Sequence, residues 1–505
     1  MATSLHSDYA VVIFDKVRDS VFIKTDPIGI RKIYYANIFR NFIFSSSLSQ
    51  ITKALKNLLG IKPSDILDPK NLYALLANGY IDFPRTLMKN IFTISPGFFV
   101  KVRKSGSVAV TRADELDYRA SSHAFSNRYA AVIEETHSLL NEAVNWYTKN
   151  VDRVSFLLSG GIDSSLLASM STKKGINIEA YTVRYDAYSE VEKIIGLKNF
   201  INLSKLNIMD LTSAIDHGSI INDFSNAVKL LDEPNLKGAF LLRYNALNEI
   251  LKRKGSKVVI VGDGADEIFC GYWPRYWFFM EMPLLKTPLK LPNKLLRFLG
   301  GLALRGSLPN YLAMMYFCKR GDLKNIVTAR FSVDSRFLLA INDVSAEKNC
   351  LRDDLVNYIS VGLLRSLTKT DVLTLENMAE RLRVNIRFPY LYIPLVKYVM
   401  NIPSKYKVTR NNTKLILKAI ALKYNYLPAR ILFAPKEGFN QSPLNTILGE
   451  LLIEEFNNLL KGIDDERFKE LFVRIYRSLD KKRAASVIQF TGALLWFREN
   501  LLGCD

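Results

Sequence analysis

From Leu157 to Ser165 the chain reads Leu157-Leu158-Ser159-Gly160-Gly161-Ile162-Asp163-Ser164-Ser165, so that hydroxyls, glycines and one carboxylate follow an apolar run without interruption. Glycine backbone amides and serine hydroxyls are the donors from which a phosphate or pyrophosphate cradle is made, and a helix starting behind them adds the positive end of its dipole. Asp163 adds an oxygen ligand of the kind that magnesium uses between phosphates. Ser-Gly-Gly by itself also fits an ordinary strand-to-helix turn. The run has neither the Gly-Lys-Ser/Thr ending of a Walker loop nor the Gly-x-Ser-x-Gly of a hydrolase elbow. A second run carries the apolar residues after Lys257 into Gly262-Asp263-Gly264-Ala265-Asp266-Glu267. Its three carboxylates suit a magnesium site facing the first loop, while a solvated helix cap is the plainer reading of such a turn.

The elements that must hold these loops are readable around them. Val154 to Leu158, broken only by Ser155, predicts a buried strand, and Leu166 to Ala168 lie in the helix after the turn. Residues 180–185 predict a further strand and Val191 to Phe200 a further helix. Alternating strands and helices with glycine turns at strand ends predict an α/β fold, a doubly wound parallel sheet with its ligand at the carboxyl edge. Ahead of it, residues 129–148 carry Ala130, Ile133, His137, Leu140, Ala143 and Trp146 at helical spacing. From about Tyr276 strand signals fade, and helical patterns to Leu502 predict a C-terminal helical lobe. At the other end, residues 8–15 and 20–24 predict a hairpin. The loop Asp26-Pro27-Ile28-Gly29-Ile30-Arg31-Lys32 then precedes two more strands, Ile33 to Ala36 and Phe42 to Ser45.

With 505 residues there is room for two or more domains, and 49% hydrophobic against 23% charged residues excludes a disordered chain. No apolar run has membrane-spanning length, and Met1 to Ser20 lacks a signal-peptide pattern, so a cytoplasmic protein is expected. Cys270, Cys318, Cys350 and Cys504 are far apart, and His6, His123, His137 and His217 do not cluster. Neither zinc nor a disulfide framework is indicated, which leaves oxygen-ligated magnesium as the expected metal. The net charge of +20 raises nucleic acid as a partner. Its densest run, Lys286 to Arg305, reads better as the solvated face of an amphipathic helix, so no nucleic acid is expected.

Taken together, the two loops, Asp232-Glu233-Pro234 and Lys436-Glu437-Gly438-Phe439 resemble the synthetase domain of the asparagine synthetase family, from about Arg128 to the C-terminus. The first loop is similar to the Ser-Gly-Gly-x-Asp-Ser pyrophosphate loop of the ATP pyrophosphatases. That family also includes β-lactam-forming synthetases and cyclases that close peptide macrolactams. The resemblance implies ATP and magnesium as cofactors, and a small-molecule carboxylate and ammonia as substrates, with adenylation making the carboxyl oxygen a leaving group. It implies that Ser159, Gly160, Gly161 and Ser164 hold pyrophosphate and that Asp163 and Asp266 bind magnesium. The backbones of Leu157, Val183, Gly262 and Gly264 would flank the nucleotide, and Lys436 would stabilise charge at the reacting phosphate. Asp263 falls where an acidic residue or a tyrosine helps set the reaction type, and here favours a simple amine. Asp371 falls at a carboxylate that assists proton removal from the incoming amine; a helix-terminal acid is the alternative. Arg387 would bind a substrate carboxylate, aspartate being the first expectation.

Residues 1–115 resemble the last part of the family's glutaminase domain, and 116–505 its synthetase domain. The glutaminase needs an N-terminal cysteine, and here Ala2 follows Met1 and the first cysteine is Cys270. The expectation is a truncated, β-rich domain without its own glutaminase, with ammonia coming from solution or a separate glutaminase subunit. The pocket also departs from the family's Glu-x-Arg-x-Pro-Phe-Leu-Asp: Asn385 and Tyr392 replace the acids, and Val372 replaces a Lys or Arg. These departures leave open a specialised amide or lactam synthetase acting on another carboxylic acid, and a non-catalytic nucleotide-binding homologue.

Overall fold

The computed structural model describes residues 8–272 and 352–502, apart from 40, 114–115, 117–128, 186–187, 211–216, 237–239, 410–411, 435–442, 462, 464–465 and 479–483. Lys436 with its Lys-Glu-Gly-Phe segment, the basic run from Lys286 and the turn-over point at Tyr276 therefore lie outside the described residues.

The N-terminal part is two antiparallel sheets. Strands β1 (Ala10–Asp15) and β2 (Ser20–Thr25) form the expected hairpin, in which Asp15 Oδ1 accepts the amides of Val17 and Arg18. Next come β3 (Tyr34–Ile38), β4 (Asn41–Ser45), helix α1 (Leu48–Leu59), β5 (Ile91–Thr93), β6 (Phe98–Arg103) and β7 (Val108–Arg112). The orders are β1-β2-β6-β7 and β4-β3-β5. Because side chains alternate across a strand, β3 serves two cores. Tyr35 meets Ile23, Val100 and Val102 of the other sheet, while Tyr34 and Ala36 join a core shared with α1 and the rest of the chain.

After helix α2 (Tyr129–Thr148) come β8 (Arg153–Leu157), α3 (Ile162–Lys173), β9 (Asn177–Tyr185), α4 (Glu190–Ile195), β10 (Leu203–Asp210), α5 (His217–Lys229), α6 (Phe240–Lys252), β11 (Val258–Ile260) and α7 (Ala265–Ile268). Helices α8 (Arg352–Lys369) and α9 (Asp371–Arg381) lead to β12 (Asn385–Arg387), α10 (Ile393–Met400) and α11 (Leu415–Lys423). Helices α12 (Pro443–Lys461), α13 (Glu466–Ser478) and α14 (Ala484–Phe497) complete the helical lobe. Strands β8 to β12 run parallel in the order β10-β9-β8-β11-β12, and Tyr188–Ser189 folds back antiparallel on β9. In β8, Val154, Ser155 and Phe156 are all buried, as a strand covered on both faces requires.

Two sequence expectations are refined. Strand β12 lies in the stretch read as mostly helical; three residues are too short to show a period, and it is held by pairing Val258 with Asn385 and Ile260 with Arg387. Along α2 the buried face is Val132, Ile133, Thr136, Leu140, Ala143, Val144 and Tyr147, whereas Trp146 is 47% exposed. Among the described residues no helix is long and apolar enough to cross a membrane.

Candidate active site

The strand order reverses between β8 and β11, since the chain winds outward from β8 through β9 to β10 and then returns to the other side of β8. At such a point the loops leaving neighbouring strands diverge and open a crevice at the carboxyl edge. The loop after β8 is Leu158 to Gly161, and the loop after β11 is Val261 to Gly264, so both sequence-predicted loops flank one crevice. They touch: a Cβ on Gly262 would lie 3.0 Å from the Ser164 amide nitrogen and 3.2 Å from Asp163 Cβ. Glycine at 262 is what permits that approach.

The first loop is internally braced. The Ser159 amide donates to Ser164 Oγ at 3.2 Å, the two hydroxyls lie 3.2 Å apart, and the Tyr390 hydroxyl donates to the Asp163 carbonyl at 3.0 Å. Helix α3 starts at Gly161 with no side-chain cap on its first turn, the arrangement in which an anion completes the amide donors. Leu157 ends β8, Val183 is a buried residue of β9 beside it, and Gly264 precedes α7.

Asp163 and Asp266 converge. Lys414 Nζ donates to Asp163 Oδ1 at 2.7 Å and Oδ2 at 2.5 Å, and lies 2.6 Å from Asp266 Oδ1. Burial lowers the Lys414 pKa, but the two carboxylates outweigh it and hold the ammonium above its usual value. Two carboxylates that share one cation form the oxygen-only donor pair that magnesium takes when phosphates and water complete its shell, so the residues fit that ion. Among the described residues no group of three or more His, Cys, Asp or Glu forms a fuller metal cage. Beside them Glu267 is pushed up to about 8 by burial and by Asp266, and the Tyr272 hydroxyl donates to it at 2.7 Å.

A second cation joins the other two acids. Arg243 on α6 donates to Asp263 Oδ1 at 2.7 Å and lies 3.4 Å from Asp371 Oδ1 at the start of α9. Burial raises the Asp263 pKa, and the Arg243 charge pulls it back. The site thus sets four carboxylates, Asp163, Asp266, Asp263 and Asp371, against two cations. Arg387 is placed differently: its guanidinium donates to the Tyr147 carbonyl of α2 and feels Asp8. Of the pocket departures, Val372 is fully buried in α9, where a charge would be costly, and the Tyr392 ring lies 6.5 Å from that of Trp146. Lys414 and Arg243 were not singled out by the sequence: each is a lone cation, and Lys414 stands far along the chain from Asp163.

Compared with known proteins, residues 135–498 match the asparagine synthase family and residues 1–112 match the glutamine amidotransferase domain. A Mycobacterium bovis protein provisionally named asparagine synthetase, glutamine-hydrolyzing, is 24% identical over 95% of this chain and 74% of its own length. Asparagine synthetase 1, glutamine-hydrolyzing, of Bacillus subtilis is 23% identical over 87% of this chain and 68% of its own. Among solved structures, NMN synthetase from Francisella tularensis covers 46% of this chain and 93% of its own at 15% identity, with a TM-score of 0.22. NH3-dependent NAD synthetase from Campylobacter jejuni covers 44% and 97% at 18% identity, with a TM-score of 0.20. Scores that low carry no argument about this chain. The amidotransferase match lies within the chain itself, so the expected separate glutaminase subunit has no support.

Proposed function

Since this chain belongs to the asparagine synthase family of ATP-dependent amide ligases, we propose that it adenylates a small carboxylic acid, aspartate first, with release of pyrophosphate, and that ammonia then attacks the acyl-adenylate. The observation that carries the reading is the meeting of the Ser159 loop and the Asp263–Asp266 loop at the strand-order reversal, with Asp163 and Asp266 bridged by Lys414. The chemistry asked of the protein is placement and charge stabilisation. Ser159, Gly160, Gly161 and Ser164 hold the departing pyrophosphate, and the Lys414 ammonium offsets its charge. Asp163 and Asp266 would hold magnesium, which neutralises phosphate charge when bound. Leu157, Val183, Gly262 and Gly264 border the nucleotide, and Lys436 acts at the reacting phosphate. Asp371, beside Arg243, takes the proton that ammonia loses as the C–N bond forms and AMP leaves. Asp263 shares that guanidinium and keeps Asp371 in place, and Arg387, the expected reader of the substrate carboxylate, would have to leave the Tyr147 carbonyl to do so.

ATP–pyrophosphate exchange tests this reading, led by aspartate and extended over other carboxylic acids. Aspartate-dependent exchange, with AMP and pyrophosphate as products, supports it; ADP and phosphate as products overturn it. A second reading, ligation of a larger acid, is favoured by Asn385, Tyr392 and Val372, which remove charge from the pocket. Exchange with a larger acid and none with aspartate would replace the first reading by the second.

A further inference from the structure

Two segments with no place in that chemistry, Asp26–Lys32 near the N-terminus and Asp232-Glu233-Pro234, meet in the structure. The Asp26 carboxylate is fully buried and accepts four backbone amides: Ile28, Gly29 and Ile30 on Oδ1 at 3.1, 2.6 and 3.0 Å, and Arg31 on Oδ2 at 2.9 Å. Gly29, at φ +81°, fits there because a Cβ would fall 2.6 Å from the Pro96 ring. A loop fixed by so many bonds presents Arg31 and Lys32 in one orientation. Arg31 donates to Asp8 at 2.6 Å and to Glu376 in the middle of α9. Lys32 and Lys369, the last residue of α8, approach the same Phe83 ring at 5.1 and 4.7 Å. Lys369 donates to the buried Glu233 at 3.2 Å, and Tyr34 of β3 donates to the same oxygen at 2.9 Å. Ser47 donates to Asp232 at 2.6 Å, and Asp232 in turn exchanges hydrogen bonds with Asn377 of α9 and accepts from Arg381 at its end. The chain of contacts reaches α9 at Glu376, Asn377 and Arg381 and the residue two before it at Lys369, and α9 begins with Asp371.

We propose that the N-terminal domain positions helix α9: the Asp26–Lys32 loop, Tyr34 and Ser47 fix that helix from outside the ligase half and thereby set Asp371, and through Arg243 Asp263, against the reacting carboxyl. The effect on catalysis rests on the reading of Asp371 given above; the fixing of α9 does not. Arg31 and Tyr34 are positioning residues, which act through Glu376 and Glu233.

The test uses the full chain with Tyr34→Phe, Arg31→Met, the partial rescue Arg31→Lys, and Lys104→Ala as a control that breaks only the exposed Lys104–Asp19 pair. Amide hydrogen exchange over 369–381 should quicken by about tenfold in Tyr34→Phe and Arg31→Met, with 162–173 unchanged and Lys104→Ala silent. In the same variants ATP–pyrophosphate exchange should hold while amide formation from ammonium falls, because adenylation precedes the step that needs Asp371. Unchanged exchange over 369–381, or equal quickening over 162–173, overturns the proposal. If Arg31→Met does not fold, Tyr34→Phe, which keeps the ring, decides by the same readout. Absence of any ligase activity in the unaltered chain would sink the functional reading, while the hydrogen-exchange result still decides whether α9 is held.

Discussion

Lys414 is the side chain on which the crevice turns, because it pairs with both Asp163 and Asp266. Lys414→Met would leave two half-buried carboxylates facing each other, at a cost of about 3 kcal/mol. Magnesium should then stabilise the variant more than the unaltered chain, since a divalent ion takes over the work of the ammonium. A thermal-unfolding titration with magnesium chloride measures this, and an equal response in both proteins would remove magnesium from the site. Arg243 invites a parallel substitution: Arg243→Met should depress amide formation at neutral pH and move its pH optimum upward, as the buried Asp263 loses the charge that holds its carboxyl down. A pH–rate profile checks it; an unshifted optimum speaks against the shared guanidinium. The acidic partners were legible in the sequence because Ser159 to Ser165 and Gly262 to Glu267 each carry their chemistry on contiguous residues. The two cations were not, since nothing local marks a lysine that completes a site only after the sheet has closed.

At the scale of elements, the strand–loop–helix units around β8 and β11 follow from apolar runs and glycine turns, and α2 from its spacing. Strand β12 escaped that reading because three residues take their conformation from the neighbour they pair with, not from a pattern of their own. The loop Asp26–Lys32 is legible as a turn but not as a clamp, for its partners Glu376 and Lys369 come from helices late in the chain. Its charge has a measurable signature. Lys32 is pulled down to about 7 by burial and by Lys369, against Asp26, Glu233 and Glu376, which raise it. A lysine depressed in the folded state withholds stability below about pH 7 and returns it as pH rises toward the unfolded value near 10.5. Glu376, pushed up to about 7 by burial, acts in the opposite sense, its contribution fading as pH rises from 4.5 to 7. The stability difference between the unaltered chain and Lys32→Met should therefore move in favour of the unaltered chain from pH 7 to 10. Denaturant unfolding at stepped pH gives that difference, and a flat result would show that Lys32 is not held depressed.

For the whole molecule, residues 1–112 match a glutamine amidotransferase domain yet contain no cysteine. We expect ammonium to support amide formation by this chain and glutamine not to, with release of glutamate from glutamine as the contrary result. The order β10-β9-β8-β11-β12 also has a consequence in time. As synthesis proceeds from the N-terminus, β8, β9 and β10 are complete by Asp210 and β11 by Ile260, but the outer partner of β11 does not exist until Arg387. Throughout that interval an apolar strand edge, Val258–Ile260, waits for a mate, and an open edge is where a growing chain pairs wrongly or with its neighbours. Nascent chains stalled before Asn385 should stay open to protease around β11, and resistance should appear once Arg387 has left the ribosome. The crevice is therefore complete only after the chain has passed Arg387 and reached Lys414, long after its two loops have been made.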